Sequence, residues 1–311
     1  MKSIIITGAT SGIGFECARH TASIAPGEQI VIACRDVKSG ENTIQAIAHE
    51  TGHPNLVCMP LDLNSLASVR NFRDQFSKSS CPCIIALINN AGIQNISQTQ
   101  ITEEGFESTF GVNHLAPLYL TLLLMPFMDS KASITFTASG VHDPKQKTGI
   151  EHPVFKSARE LAYPAEMEEK LHIAGQRRYS TSKLCNILTS YELQRRLSNT
   201  AIRVNAFDPG LVPGTGLART YSPLMRFLWR NVFPLLKYFV HNINTAENSG
   251  KRLANLAYSE DYKESKGKYF EGAKEIRSSI DSYNEDFQHT LWKTSVELLG
   301  IKQEETSVLL A

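Results

Sequence analysis

Tyr179 and Lys183 stand four residues apart within Arg178–Leu197, a stretch with helical apolar spacing. Residues i and i+4 share a helix face, so a phenol and an ammonium would meet at one site. A free tyrosine titrates near pH 10, too high for acid/base work at neutral pH; a nearby cation favours the phenolate and lowers that value. Alone, the pair would also suit a solvated helix face. Ser139 follows a short β-branched run in Thr137-Ala138-Ser139-Gly140. A hydroxyl there can hydrogen-bond a carbonyl and stabilise negative charge developing on its oxygen, although a turn or cap serine has the same local sequence. Asn113, in Gly111-Val112-Asn113-His114, lies inside a long apolar helical pattern. A buried amide needs partners. This one could hold a water linking Lys183 to solvent, or distort the helix; His114 beside it reads as structural.

A second cluster is built for phosphate. The run Ser3-Ile4-Ile5-Ile6-Thr7 reads as a strand, ends in Gly8-Ala9-Thr10-Ser11-Gly12-Ile13-Gly14, and passes at once into a helix. Glycines at 8, 12 and 14 permit a tight turn and a close backbone approach to a pyrophosphate, and the helix N-terminus adds free N–H groups and its dipole. The second strand ends Ala33-Cys34-Arg35-Asp36. An acid at the tip would hold a ribose 2′-hydroxyl, whereas an Arg accommodates a 2′-phosphate. With Cys34 at the tip, Arg35 after it, and Thr10 and Ser11 as donors, NADP(H) is the expected cofactor. Asp36 could start the next turn or point at the ribose. Asp62, with Leu63 after it, ends the third strand and could accept from the adenine amino group or cap the next helix. Asn89-Asn90-Ala91-Gly92 ends the fourth. Ala91 and Gly92 let backbone pass close to the adenosine ribose, and Asn89 is expected at the cofactor too, although it can also tie neighbouring strands together and so is partly structural.

Strands and helices must alternate to bring these groups together. Expected strands are residues 4–7, 29–34, 56–61, 84–89, 133–137, 202–207 and 268–270, each nearly continuous in apolar residues, as strands buried on both faces are. Helical patterns over 14–25, 38–51, 66–78 and 105–128 lie between them. The pattern predicts an α/β single-domain Rossmann fold over residues 1–311: a doubly wound parallel sheet, helices on both faces, right-handed crossovers and a substrate lid. The chain has 311 residues with 32 basic and 31 acidic, a net charge of +1, which argues against nucleic acid as a partner. The six cysteines are scattered; Cys81-x-Cys83 lacks a second pair at zinc spacing, so no metal is expected and the thiols read as reduced and cytoplasmic. The apolar run Leu118–Met128 contains Pro126 and is too short to span a membrane.

In order along the chain, Thr7–Gly14, Asn89–Gly92, Asn113, Ser139, Tyr179/Lys183 and Asp208-Pro209-Gly210 resemble the short-chain dehydrogenase/reductase family over roughly residues 1–215. The resemblance implies a catalytic tetrad of Asn113, Ser139, Tyr179 and Lys183. Tyr179 would be the acid/base, Ser139 the carbonyl polariser, Lys183 the ribose anchor and pKa modulator, and Asn113 the holder of a proton relay. Pro209, Gly210, Val212 and Thr215 would flank the nicotinamide and its phosphate. The Ala-Cys-Arg-Asp tip and Tyr179-Ser-Thr-Ser-Lys-Leu-Cys-Asn186 are similar to the retinol dehydrogenase and light-dependent protochlorophyllide reductase branch. Ser139 and Tyr179 are 40 residues apart, against a dozen or so in the family's simpler members; carbonyl reductases of the family carry an insertion there, which tends to block the usual dimer interface.

Two stretches depart from the repeating unit: the insertions 141–178 and 216–241. The second is apolar and basic, with no acid between Asp208 and Glu247. It is expected to be a lid over an apolar pocket; an amphipathic segment resting on anionic lipid and a core helix with basic tips are the alternatives. The expected activity is hydride transfer between NADP(H) and a carbonyl or alcohol carbon of a lipophilic small molecule, by a monomer or homodimer. Light-dependent double-bond reduction and non-catalytic NADP binding are the rival readings.

Overall fold

The computed structural model describes residues 1–165, 170–214 and 243–311. The expected lid, residues 216–241, and Thr215 lie outside the described residues. Along the chain run β1 (Ser3–Thr7), α1 (Gly12–Ile24), β2 (Gln29–Cys34), α2 (Val37–Thr51), β3 (Leu56–Pro60), α3 (Leu66–Ser77) and β4 (Ile84–Asn89). Then come α4 (Ser108–Phe110), α5 (Ala116–Leu124), β5 (Met128–Thr137), α6 (Ala158–Ala162), α7 (Leu171–Arg196), β6 (Arg203–Asp208), α8 (Ala246–Tyr258), β7 (Lys268–Glu271), β8 (Lys274–Ile276) and α9 (Glu285–Leu299).

These strands form one sheet in the order β3-β2-β1-β4-β5-β6-β7-β8. All pairings are parallel except β7–β8, so the expected parallel sheet ends in a short antiparallel edge. Strand side chains alternate between two cores. Ile4, Ile6, Ile30, Ile32, Ala86 and Ile88 face α1 and α8; Ile5, Val31, Leu87, Ile134 and Val204 face the side of α3, α5, α7 and α9. Strand order reverses between β1 and β4, and an open sheet of this kind has its crevice at the carboxyl ends of such strands.

Two expected helices differ. The 105–128 pattern is interrupted: Gly111–Leu115 is a π turn between α4 and α5, and Met128 begins β5. The segment Ser108–Phe127 is long and apolar enough to cross a membrane, but 89% of its apolar window is buried within the protein. Helix α7 starts at Leu171, seven residues before Arg178, and so takes up the end of the 141–178 insertion. Gly175 reads locally as a breaker; here it lets α7 press against the loop after β4, where a Cβ would stand 2.6 Å from the Ile96 Cα.

Candidate active site

One cavity of about 850 Å³ opens along the carboxyl edge of the sheet. Its floor at one end is the turn after β1. Gly8 and Gly12 take φ of +67° and +57°, conformations that favour glycine. Gly14 is glycine for another reason: a Cβ there would lie 2.5 Å from Asn90 Nδ2 and nearer still to the Gly8 carbonyl oxygen. Ser11 is the N-cap of α1, makes no side-chain cap hydrogen bond and lines the cavity. The main chain can therefore come close to a phosphate, and a free hydroxyl and a helix N-terminus converge on the same point.

Of the expected cofactor residues, Gly8, Thr10, Ser11, Gly12, Ile13, Gly14, Arg35, Asp62, Leu63, Ala91, Gly92, Tyr179, Lys183, Pro209, Gly210 and Val212 all line this cavity. Asn89 does not. It is buried, and its amide donates to Thr121 Oγ1 at 3.0 Å. Strand alternation turns its neighbour inward: Asn90 lines the cavity and ties β4 to β1 through the Thr7 carbonyl at 2.9 Å. Asp36 is spent on its own helix: it caps α2, accepting from Lys38 N–H and from the Ser39 hydroxyl, which hold its carboxyl below the usual range. That leaves Arg35 to face the cavity beside Cys34. Asp62 accepts from Asn64 N–H at 2.9 Å, and the cap of α3 is Ser65. The six cysteines are free thiols.

At the other end, Ser139, Tyr179 and Lys183 line the same wall. The Lys183 ammonium is buried and donates to the Thr137 carbonyl at 2.9 Å, at the end of β5. It lies 5.6 Å from the Tyr179 ring centre. Burial pushes its pKa down to about 8, and the Asp208 carboxylate opposes that shift. Asn113 sits inside the π turn, a distortion that recurs at functional sites. Its carboxamide accepts from Ile93 N–H at 2.8 Å and donates to the Ile93 carbonyl at 2.9 Å and the Ser182 hydroxyl at 3.0 Å. Asn113 thus fixes the backbone beside Gly92 and clamps it to α7, with one lone pair of Oδ1 left over for a water. The two readings of this residue, helix distortion and site chemistry, meet in one place.

His114 is structural, as expected. It is buried, its Nε2 pairs with the Ser295 hydroxyl at 3.1 Å, and burial lowers its pKa to about 3. Sequence reasoning missed Asp208, Gln146 and Gln176 as cavity residues. Gln176 was legible, three residues before Tyr179 on the same helix face. Gln146 was not: it reaches the Ser139–Gly140 turn from a loop without periodicity, and its amide oxygen fills the space that a Cβ on Gly140 would need.

The chain matches the short chain dehydrogenase family over residues 2–150 and the AcuH dehydrogenase domain over residues 216–308. Retinol dehydrogenase 12 of Homo sapiens is 34% identical over 303 residues, which cover 97% of this chain and 88% of that one. Protochlorophyllide reductase A of Arabidopsis thaliana is 30% identical over 321 residues, 96% of this chain and 77% of that one. Among solved structures, L-sorbose reductase from Gluconobacter frateurii, complexed with NADPH and L-sorbose, shares the fold with a TM-score of 0.64 at 18% identity, over 90% of this chain and 96% of that one.

Proposed function

The chain belongs to the short-chain dehydrogenase/reductase family, in its retinol dehydrogenase-like branch, and on that premise we propose that it is an NADP(H)-dependent oxidoreductase acting on a carbonyl or alcohol carbon. The observation that carries this reading is that the glycine turn, Arg35, Ser139, Tyr179 and Lys183 line a single cavity. The turn after β1 would accept a close-lying pyrophosphate, and Arg35, with Asp36 committed to the α2 cap, would meet the charge of a 2′-phosphate. When bound, NADP(H) supplies or accepts the hydride.

The chain's own residues do the rest. In reduction, the Ser139 and Tyr179 hydroxyls hold the carbonyl oxygen, and Tyr179 gives it a proton as negative charge builds there. In oxidation, Tyr179 takes the proton back. Lys183, fixed on the Thr137 carbonyl, holds a positive charge beside the phenol and anchors the ribose. Asn113 holds the Ile93 main chain and keeps an Oδ1 lone pair that would hold a water.

The substrate we propose is a lipophilic aldehyde, ketone or alcohol. Val112, Ile150, Leu211, Val212 and Ile243 add apolar surface to the cavity lining, to which Gln146 and Gln176 add hydrogen-bonding groups. A cofactor-oxidation screen of NADPH and NADH against apolar aldehydes, ketones and retinoids tests the reading. Turnover with NADPH at least tenfold better than with NADH supports it; turnover of small polar carbonyls alone contradicts the substrate class. The likeness to protochlorophyllide reductase A supports a second reading, double-bond reduction; protochlorophyllide turnover under illumination but not in darkness would select it.

A further inference from the structure

A buried carboxylate behind the catalytic hydroxyl has no part in the chemistry above. Asp208 closes β6 and is 1% exposed. It accepts from Gly210 N–H at 2.8 Å and from the Tyr269 hydroxyl at 3.0 Å, and it packs against Gly140. A Cβ on Gly140 would stand 3.2 Å from Asp208 Oδ2. The two donors belong to the loop after β6 and to β7, and the packed Gly140 to the loop after β5. One carboxylate therefore ties the turn that carries Ser139 to the turn that carries Pro209 and Gly210, and both to the sheet.

A histidine completes this brace. Ser279 N–H donates to His142 Nε2 at 3.0 Å, so the ring proton sits on Nδ1, which donates to the Ser139 carbonyl at 2.7 Å. The His142 ring lies against Tyr269, with centres 4.9 Å apart, and burial lowers its pKa, which keeps it neutral. The Ser139–Gly140 turn is thus held at its carbonyl by His142 and packed at Gly140 against the Asp208 carboxylate.

Asp208 also shares the cavity with Lys183. The Lys183 ammonium donates to the Thr137 carbonyl, and Thr137 pairs across the sheet with Phe207, the residue before Asp208. Asp208 meets the Tyr269 hydroxyl and its sheet partner Glu271 on β7, shares the cavity with Lys183 of α7, and has His142 behind the Tyr269 ring. Burial raises the Asp208 pKa to about 6, so the group is charged at neutral pH and opposes the burial that drives Lys183 towards its neutral form.

We propose that Asp208 is a positioning residue: its carboxylate fixes the Ser139 turn against the Pro209–Gly210 turn, and its negative charge stands in the same cavity as the Lys183 ammonium that the Thr137 carbonyl holds. This rests on the oxidoreductase reading for what Lys183 does, but its test has a readout without turnover. NADPH affinity is followed by nicotinamide fluorescence across pH in the wild type, in Asp208→Asn, which removes the charge, and in Asp208→Glu, which restores it. kcat is followed in parallel.

Loss of the Lys183 charge weakens NADPH binding at alkaline pH, and in Asp208→Asn that limb is expected about one pH unit lower. The variant then binds about as tightly as wild type near pH 6.5 and about tenfold more weakly near pH 9, and Asp208→Glu returns the limb towards wild type. A merely structural Asp208 would lower the melting temperature or the amplitude and leave the limb in place, which overturns the proposal. Should Asp208→Asn not fold, Asp208→Ser makes the same comparison with a hydroxyl acceptor for Gly210 N–H. A wild type that binds NADPH but turns over no substrate would sink the oxidoreductase reading, while the binding profile still decides for or against Asp208.

Discussion

Gly14→Ala isolates the cofactor turn with a single methyl group. A Cβ at this position would stand 2.5 Å from Asn90 Nδ2 and 2.9 Å from the Gly8 carbonyl carbon, and nearer to the Gly8 oxygen. Comfortable carbon contacts are about 3.5–4.0 Å, so the Gly8 peptide or the start of α1 must shift by roughly 1 Å. Overpacking of this kind costs about 1–3 kcal/mol. If the shift is relieved at the turn, the N–H groups proposed to meet the pyrophosphate move with it, and the same energy becomes about a 5- to 150-fold weaker NADPH complex. If it is resisted there, the cost falls on the fold and the melting temperature drops by several degrees. Gly27→Ala is the control, because a Cβ at Gly27 meets nothing within 4 Å. NADPH fluorescence titration and thermal unfolding are measured on both variants. A Gly14→Ala protein that binds NADPH within twofold of wild type and melts with it would refute the account of the turn.

Arg35→Ala should weaken NADPH binding about tenfold or more, the worth of a charge-assisted contact to phosphate, with little change for NADH. Asp36→Ala removes the α2 cap and should lower the melting temperature slightly without altering cofactor choice; a gain in NADH use in that variant would mean that Asp36 reaches the ribose. His114 titrates near 6.5 when unfolded and about 3 in the fold, so its contribution is full above pH 6.5 and is lost as pH falls towards 3. His114→Asn should therefore show a flatter fall of melting temperature between pH 6.5 and 4 than wild type, and parallel curves would contradict it.

The parts of the site that could be read from the sequence are those carried by local signals. Residues 3–14 join an unbroken apolar strand to a glycine turn and a helix, and they lie as that pattern requires. Tyr179 and Lys183 share a helix face because their spacing leaves no other choice. The misses have a common cause. The choice between Asn89 and Asn90 depends on which face β4 turns to β1, a matter of register with a strand 80 residues away. The π turn at Asn113 answers to Ile93 and Ser182, which no periodicity in 105–128 reveals. Edge strand β8 has only three residues and no alternation to detect. Asp208 is one residue of a familiar Asp-Pro-Gly turn until Tyr269, 61 residues later, is seen to donate to it. Long-range contacts of this kind set the electrostatics of the site, and local spacing does not encode them.

The central claim is that Tyr179 transfers the proton while the rest of the cavity binds cofactor and substrate. Tyr179→Phe removes one oxygen atom from a side chain that is 7% exposed and leaves the helix, Lys183 and the glycine turn in place. The decisive measurement is NADPH affinity and kcat on the same preparation, with the best carbonyl substrate from the screen. NADPH affinity within about threefold of wild type, with kcat lower by about 10²–10⁴-fold, is the predicted result. Unchanged affinity with full turnover would contradict the account.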